Sequence, residues 1–225
     1  MAALPTAAVI FDVDGVLVDS YNAHRNGWMR LANELGVPYS EPEFLRDFGR
    51  TAREVLTEVF APHCALLTPD KIPEVEDRKE ALYREEVDID FPAMDGALHL
   101  IESLLAAGIK VGVGSSGPPE NVALVLRHLG ITDRIHAAVN GSEVPRGKPD
   151  PAIFLTAASR MGVDPKHCVV IEDARPGLKA ARAAGMKCIA LVSTGHTPEE
   201  LSEADEVVAF LREVTPDRIR QLLTK

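Results

Sequence analysis

The feature that most constrains this chain is a set of short, continuously apolar runs separated by helical stretches. Ala7 to Phe11, Ile109 to Gly114, Ile135 to Val139, Cys168 to Ile171 and Cys188 to Val192 have strand length and no polar face. Strands without a polar face are covered on both sides, which marks a parallel sheet. Between the later runs, Pro118 to Leu129, Pro151 to Met161 and Pro176 to Ala184 carry helical periodicity. Asp150 before Pro151 fits a helix N-cap, and Gly185 fits a helix stop. The expected fold class is α/β, a Rossmann-like doubly wound parallel sheet.

The stretch from Val16 to Phe91 reads differently. Amphipathic helices are expected around Asn22 to Leu35, Ala52 to Phe60 and Val75 to Glu86, joined by turns such as Gly36-Val37-Pro38, with no strand among them. The expected organisation is an α/β core of residues 1–16 and 92–225, with an inserted α-helical domain of residues 17–91 after strand one. A chain of 225 residues accommodates both. The acidic stretch Glu203 to Glu206 reads as a solvated turn.

Composition removes several functional classes. With 24 basic and 34 acidic residues the formal charge is -10, which disfavours nucleic acid and anionic membrane as partners. No apolar run has the length of a bilayer span, and Met1-Ala2-Ala3-Leu4-Pro5 lacks the basic start of a secretory signal. Cys64, Cys168 and Cys188 are odd in number and widely spaced, as expected of buried, reduced thiols in a cytoplasmic protein.

In an open parallel sheet, ligands bind beyond the carboxyl ends of the strands. The residues expected there form a coherent set. Asp12 and Asp14 follow strand one, Ser115 and Ser116 follow the Ile109 run, Lys148 follows the loop after the Ile135 run, and Glu172 and Asp173 follow the Cys168 run. Carboxylates gathered at one edge repel each other unless a cation sits among them, and oxygen donors select a hard ion such as magnesium. Asp12, Asp173 and Glu172 are therefore metal candidates. Lys148 and Ser115 suit the peripheral oxygens of a phosphoryl group, one carboxylate can attack phosphorus in line, and a second acid two residues on can serve as acid/base. Asp-x-Asp-Gly, Ser-Ser-Gly-Pro-Pro and Gly-Lys-Pro are each ordinary turn or helix-entry chemistry alone. Four such pieces in register with four strand ends are not explained by turn composition.

At these residues the chain resembles the haloacid dehalogenase superfamily, in the branch that includes β-phosphoglucomutase and phosphoglycolate phosphatase. The first motif is matched by Phe11-Asp12-Val13-Asp14-Gly15-Val16-Leu17-Val18-Asp19-Ser20, the second by Ser115, the third by Lys148 in Gly147-Lys148-Pro149 and the fourth by Ile171-Glu172-Asp173. The resemblance implies that Asp12 is the nucleophile and Asp14 the acid/base. It also implies that magnesium is held by Asp12, a backbone carbonyl of Asp14 and the acids Glu172 and Asp173. Ser115 and Lys148 would hold phosphate, and the helical insert would be a cap. Members that cleave carbon–halogen or carbon–phosphorus bonds lack an acid at the Asp14 position, so its presence favours phosphate esters.

The cap would set specificity. His24 and Trp28 lie one helical turn apart, as do Lys79 and Tyr83, and the matching positions of β-phosphoglucomutase also carry His, Trp and Lys. That mutase has an arginine three residues after the glycine of its cap loop; counting from Gly49, Ala52 stands there, flanked by Arg50 and Arg53. The departure favours a magnesium-dependent phosphatase of a small phosphorylated metabolite, a sugar phosphate, over a phosphomutase. His24, Arg50, Arg53 and Lys79 are the candidate substrate residues. A phospho-acceptor switch like a receiver domain also gathers Asp, Ser and Lys around magnesium, but it has no large insert after strand one. The expected partner is a small phosphate ester, and the expected state a monomer or weak dimer.

Overall fold

The computed structural model describes residues 6–225, so the reading of Met1 to Pro5 lies outside the described residues. The chain opens on strand β1 (Ala8–Phe11), all four residues of which are buried. It then passes through a helical segment. Helix α1 (Tyr21–Leu35) is followed by α2 (Glu41–Asp47), the single turn α3 (Ala52–Val55) and α4 (Ile72–Ile89). The chain returns through α5 (Ala97–Ala106), β2 (Lys110–Gly114), α6 (Pro119–His128), β3 (Ala137–Val139), α7 (Ala152–Met161), β4 (Cys168–Glu172), α8 (Arg175–Ala183), β5 (Lys187–Leu191), β6 (Glu206–Val208) and α9 (Pro216–Leu222).

These elements form two compact units, Met1–Asp19 with Pro92–Lys225, and Ser20–Phe91. Residues 17–19 stay with the α/β unit because their backbone is tied to the returning segment before α5: Met94 N–H donates to Leu17 O and Asp19 N–H to Pro92 O.

In the α/β unit a six-stranded sheet runs β3-β2-β1-β4-β5-β6, and every pairing is parallel. The chain runs outward from β1 through β2 to β3, then crosses back to β4 on the other side. This reversal opens a crevice at the carboxyl ends of β1 and its neighbours. Register decides what faces it. Phe11 pairs with Val113 on one side and Ile171 on the other, so Asp12 lies level with Gly114 and Glu172.

One face of the sheet is covered by α7 and α8, whose Ile153, Phe154, Ala157, Leu178 and Ala181 join Ile10 and Val170 in one buried cluster. Gly114 makes room for this packing, since a Cβ there would lie 3.1 Å from Phe154 Cδ1. The Asp150 carboxylate accepts from Ala152 N–H at the start of α7, and Gly185 ends α8 with a φ of 71°.

Two elements differ from the sequence expectation. The Glu203 to Glu206 stretch is not wholly a solvated turn: Glu206 opens edge strand β6, is half-buried, and accepts from Arg218 Nε at 2.6 Å. The expected Ala52 to Phe60 helix begins as α3 and widens into a π-helical turn at Leu56–Phe60, which turns Leu56 and Phe60 into the apolar core of the helical unit. That core also holds Trp28, Leu31, Phe44 and Leu82. Its aromatic rings meet edge-on, Trp28 and Phe60 with centroids 5.4 Å apart. The three cysteines are buried free thiols. Among the described residues no helix is long and apolar enough to cross a membrane.

Candidate active site

Asp12 is the first residue beyond β1, and its N–H donates to Ile171 O, which fixes it to the neighbouring strand. The residue is 9% exposed. Lys148 Nζ donates to Asp12 Oδ1 at 2.7 Å and to Glu172 Oε1 at 2.6 Å, which spends two of its three protons and leaves one for an arriving oxygen. The Phe154 ring supports the ammonium, its centroid 5.0 Å from Nζ. Gly114 thus acts indirectly on Lys148, by letting Phe154 pack beneath it.

Both oxygens of Glu172 are engaged. Oε1 takes the lysine, and Oε2 accepts the backbone N–H groups of Asp173 and Ala174 at 3.0 and 3.1 Å. Gly177 in α8 admits this carboxylate, since a Cβ there would lie 1.8 Å from Oε1. Asp173 Oδ2 accepts from Ser193 Oγ at 2.7 Å, and a Cβ on Gly15 would lie 1.7 Å from the same oxygen. Gly15 also has a φ of 72°, so position 15 demands glycine for both backbone and space.

One donor atom from each of Asp12, Glu172 and Asp173 can be chosen so that all lie within 4.8 Å of one another. Three acids share one lysine in a buried place. Burial raises the Asp12 carboxyl from 3.8 to about 7; the Glu172 and Asp14 charges add to the rise and Lys148 opposes it. Burial likewise lifts Asp173 well above the carboxylate range, aided by Glu172 and Asp12. For Lys148 burial is the largest effect and disfavours the charge, yet Asp12 and Glu172 together outweigh it and hold the ammonium above the usual lysine range. The excess negative charge and the all-oxygen donor set fit a hard divalent cation.

On the other side of β1, Ser115 follows β2, is 2% exposed and donates its N–H to Val139 O. Its Oγ accepts from Gly117 N–H at 3.0 Å, leaving its own proton to donate. Asp14 belongs to the same locality, since a Cβ on Gly117 would lie 3.3 Å from Ser115 Oγ and 3.8 Å from Asp14 Oδ2. Ser116 is exposed, and its carbonyl backs onto Gly141 in the loop after β3. The structure therefore brings Asp12, Lys148, Glu172 and Asp173 together, and sets Ser115 near Asp14.

Within the helical unit, His24 and Lys79 also meet. Lys79 is 4% exposed and donates to His24 Nδ1 at 2.9 Å and to Glu80 Oε1 at 2.8 Å; His24 stacks on Tyr83 with centroids 4.3 Å apart. Arg50 and Arg53 are held by acids instead. Arg50 pairs with Asp47 at 3.1 Å and with Glu58, and Arg53 grips Glu76 at 2.8 and 3.3 Å. Sequence reasoning did not single out Ser193 or Gly177, and Gly15 entered only as part of the first motif, with no role of its own. The glycines carried a weak signal by their spacing from the acids, and Ser193, in a polar loop, carried none.

Residues 6–185 match the haloacid dehalogenase-like hydrolases. The chain belongs to that family. It is 35% identical over 207 residues to validoxylamine A 7'-phosphate phosphatase of Streptomyces hygroscopicus subsp. limoneus, covering 91% of this chain and 94% of that one. It is also 35% identical over 183 residues to the β-phosphoglucomutase of Bacillus subtilis strain 168, covering 80% of each. Among solved structures, a β-phosphoglucomutase from Clostridium difficile superimposes with a TM-score of 0.82 at 26% identity, covering 97% of both chains. The relatives thus include both a phosphatase and a mutase, and the fold and family are common to them.

Proposed function

We propose that this haloacid dehalogenase-like hydrolase is a magnesium-dependent phosphatase of a small phosphorylated metabolite, a sugar phosphate, working through an aspartyl phosphate on Asp12. The observation that carries the reading is the buried group of Asp12, Glu172 and Asp173 around Lys148, at the carboxyl ends of β1 and β4.

In the first half-reaction an oxygen of Asp12 attacks phosphorus while the ester P–O bond breaks, and Asp14 gives its proton to the leaving oxygen. In the second, Asp14 takes a proton from water as the water oxygen attacks phosphorus. The bond to Asp12 breaks and inorganic phosphate leaves. Lys148, through its remaining proton, and the hydroxyls of Ser115 and Ser116 hold the phosphoryl oxygens. Asp12 and Asp173 would hold magnesium, with Glu172 and the backbone carbonyl of Asp14 contributing. The ion would supply the positive charge that the carboxylates and the phosphoryl group require. Glu172 in addition anchors Lys148.

Substrate discrimination is assigned to the helical unit as a cap, through the paired His24 and Lys79. Arg50 and Arg53, already gripped by acids, contribute less. A second reading, phosphomutase, is favoured by that same His24–Lys79 pair, which the mutase resemblance implies; there a sugar hydroxyl replaces water as acceptor.

The test is a panel of sugar and short-acid phosphates assayed for inorganic phosphate with and without magnesium, alongside conversion of β-glucose 1-phosphate to the 6-phosphate with glucose 1,6-bisphosphate present. Rapid, magnesium-dependent phosphate release without isomerisation supports hydrolysis. Isomerisation with little release overturns it in favour of the mutase.

A further inference from the structure

The loop after β5 approaches the acid group from a strand that the motifs do not touch. Register carries it there: Glu172 of β4 pairs with Ala190 of β5, so Asp173 lies level with Leu191, two residues before Ser193. Ser193 is 9% exposed, and its hydroxyl donates to Asp173 Oδ2 at 2.7 Å.

The loop itself is tied down on both flanks of that serine. Val192 N–H donates to Val208 O in β6, His196 N–H closes a turn onto Ser193 O, and Thr194 Oγ1 donates to Asp19 Oδ2 at 3.1 Å. The Gly15 backbone packs close to Asp173 Oδ2, near enough that any Cβ at position 15 would overlap that oxygen. Oδ2 is therefore committed to Ser193, and among the described residues no donor is bonded to Oδ1. A carboxylate with one oxygen fixed by a serine and the other left open is oriented as a single-oxygen ligand.

We propose that Ser193 is a positioning residue for Asp173, fixing the orientation in which that carboxylate receives a divalent cation. The proposal rests on the metal-assisted reading of the site and gives it a determinant outside the four motifs. Hydrogen-bond partners behind a metal ligand are worth roughly ten- to a hundredfold in metal affinity.

The experiment is calorimetric titration of the full-length protein with magnesium, for the wild type, Ser193→Ala, Ser193→Cys and Ser193→Thr, with folding checked by circular dichroism. Ser193→Ala and Ser193→Cys are expected to weaken magnesium binding about tenfold or more, and Ser193→Thr, which keeps the hydroxyl, to restore most of it. In activity assays the loss should appear in the magnesium concentration needed for half-maximal rate and not in kcat at saturating magnesium. Unchanged magnesium affinity in a folded Ser193→Ala or Ser193→Cys protein overturns the proposal while leaving the phosphatase reading intact. So does a folded Ser193→Thr as weak as alanine. Magnesium binding by the wild type without phosphate release from any substrate overturns the phosphatase reading alone, and no magnesium binding by the wild type overturns both.

Discussion

The two units use charge in opposite ways. In the helical unit basic residues are neutralised one by one on the surface, as in Arg53 with Glu76 and Arg78 with Glu34 at 2.6 Å. Such exposed pairs add little stability, because water screens them. In the α/β unit Asp12, Glu172 and Asp173 are buried with a single lysine, and burial drives two of their carboxyls out of the usual range. Burial of unbalanced charge is costly, and a chain that retains it does so where charge is to be used. Asp47 and Lys79 are the exceptions in the helical unit: Asp47 is buried and paired with Arg50, and Lys79 is buried against His24 and the rings of Trp28 and Tyr83.

The comparison is broken most sharply by removing Asp12. Asp12→Asn keeps the shape and removes the nucleophile, so phosphate release is expected to fall by at least about 10⁴-fold, as for other lost nucleophiles. Activity within tenfold of wild type would falsify the covalent route. Lys148→Ala comes next. It leaves three acids without their cation, and kcat/KM should drop by about a hundred- to a thousandfold, with the thermal midpoint of the metal-free protein falling at neutral pH. A midpoint equal to wild type would mean that the lysine does not balance the acids.

A smaller effect tests the charge balance by pH. The Asp12 carboxyl is raised from 3.8 to about 7, so in the metal-free fold its contribution to stability is full below about pH 4 and is lost as pH rises through about 7. Magnesium must displace that proton, so its affinity should weaken about tenfold between pH 8 and pH 6, measured by titration calorimetry. A flat profile over that range would contradict a proton held on Asp12 near neutral pH. Smallest of all is Arg53→Ala, which removes an exposed pair from the helical unit. The thermal midpoint should scarcely move, and phosphate release should be retained; loss of mutase activity in this variant would instead give Arg53 a substrate phosphate to bind.

The α/β unit was far more legible in the sequence than the details of its site. Apolar runs such as Ala8–Phe11 signal parallel strands because burial on both faces excludes polar residues, and parallel register then carries the residues that follow them to one edge. Lys148 and Asp173 were readable for that reason. Edge strand β6 was not, because three residues, Glu206–Val208, offer too little pattern and begin with an acid. Ser193 was not either, since a serine in a polar loop looks the same whether it faces water or Asp173. The π-helical turn at Leu56–Phe60 was hidden because its apolar spacing also suits an α-helix. Arg50 and Arg53 illustrate a further limit. Their acid partners lie close in sequence for Arg50, at Asp47 and Glu58, but far for Arg53, at Glu76, and only folding reveals that both are engaged.

The central claim is that Asp12 carries the phosphoryl group. The wild-type protein should be mixed with a turned-over phosphate ester and magnesium, quenched in acid within the first turnovers, digested and analysed by mass spectrometry. One phosphoryl group is expected on the peptide containing Asp12, absent from Asp12→Asn and lost on longer incubation as phosphate is released. A phosphoryl group on any other residue, or steady phosphate release with none on Asp12 at the earliest times, would contradict the account.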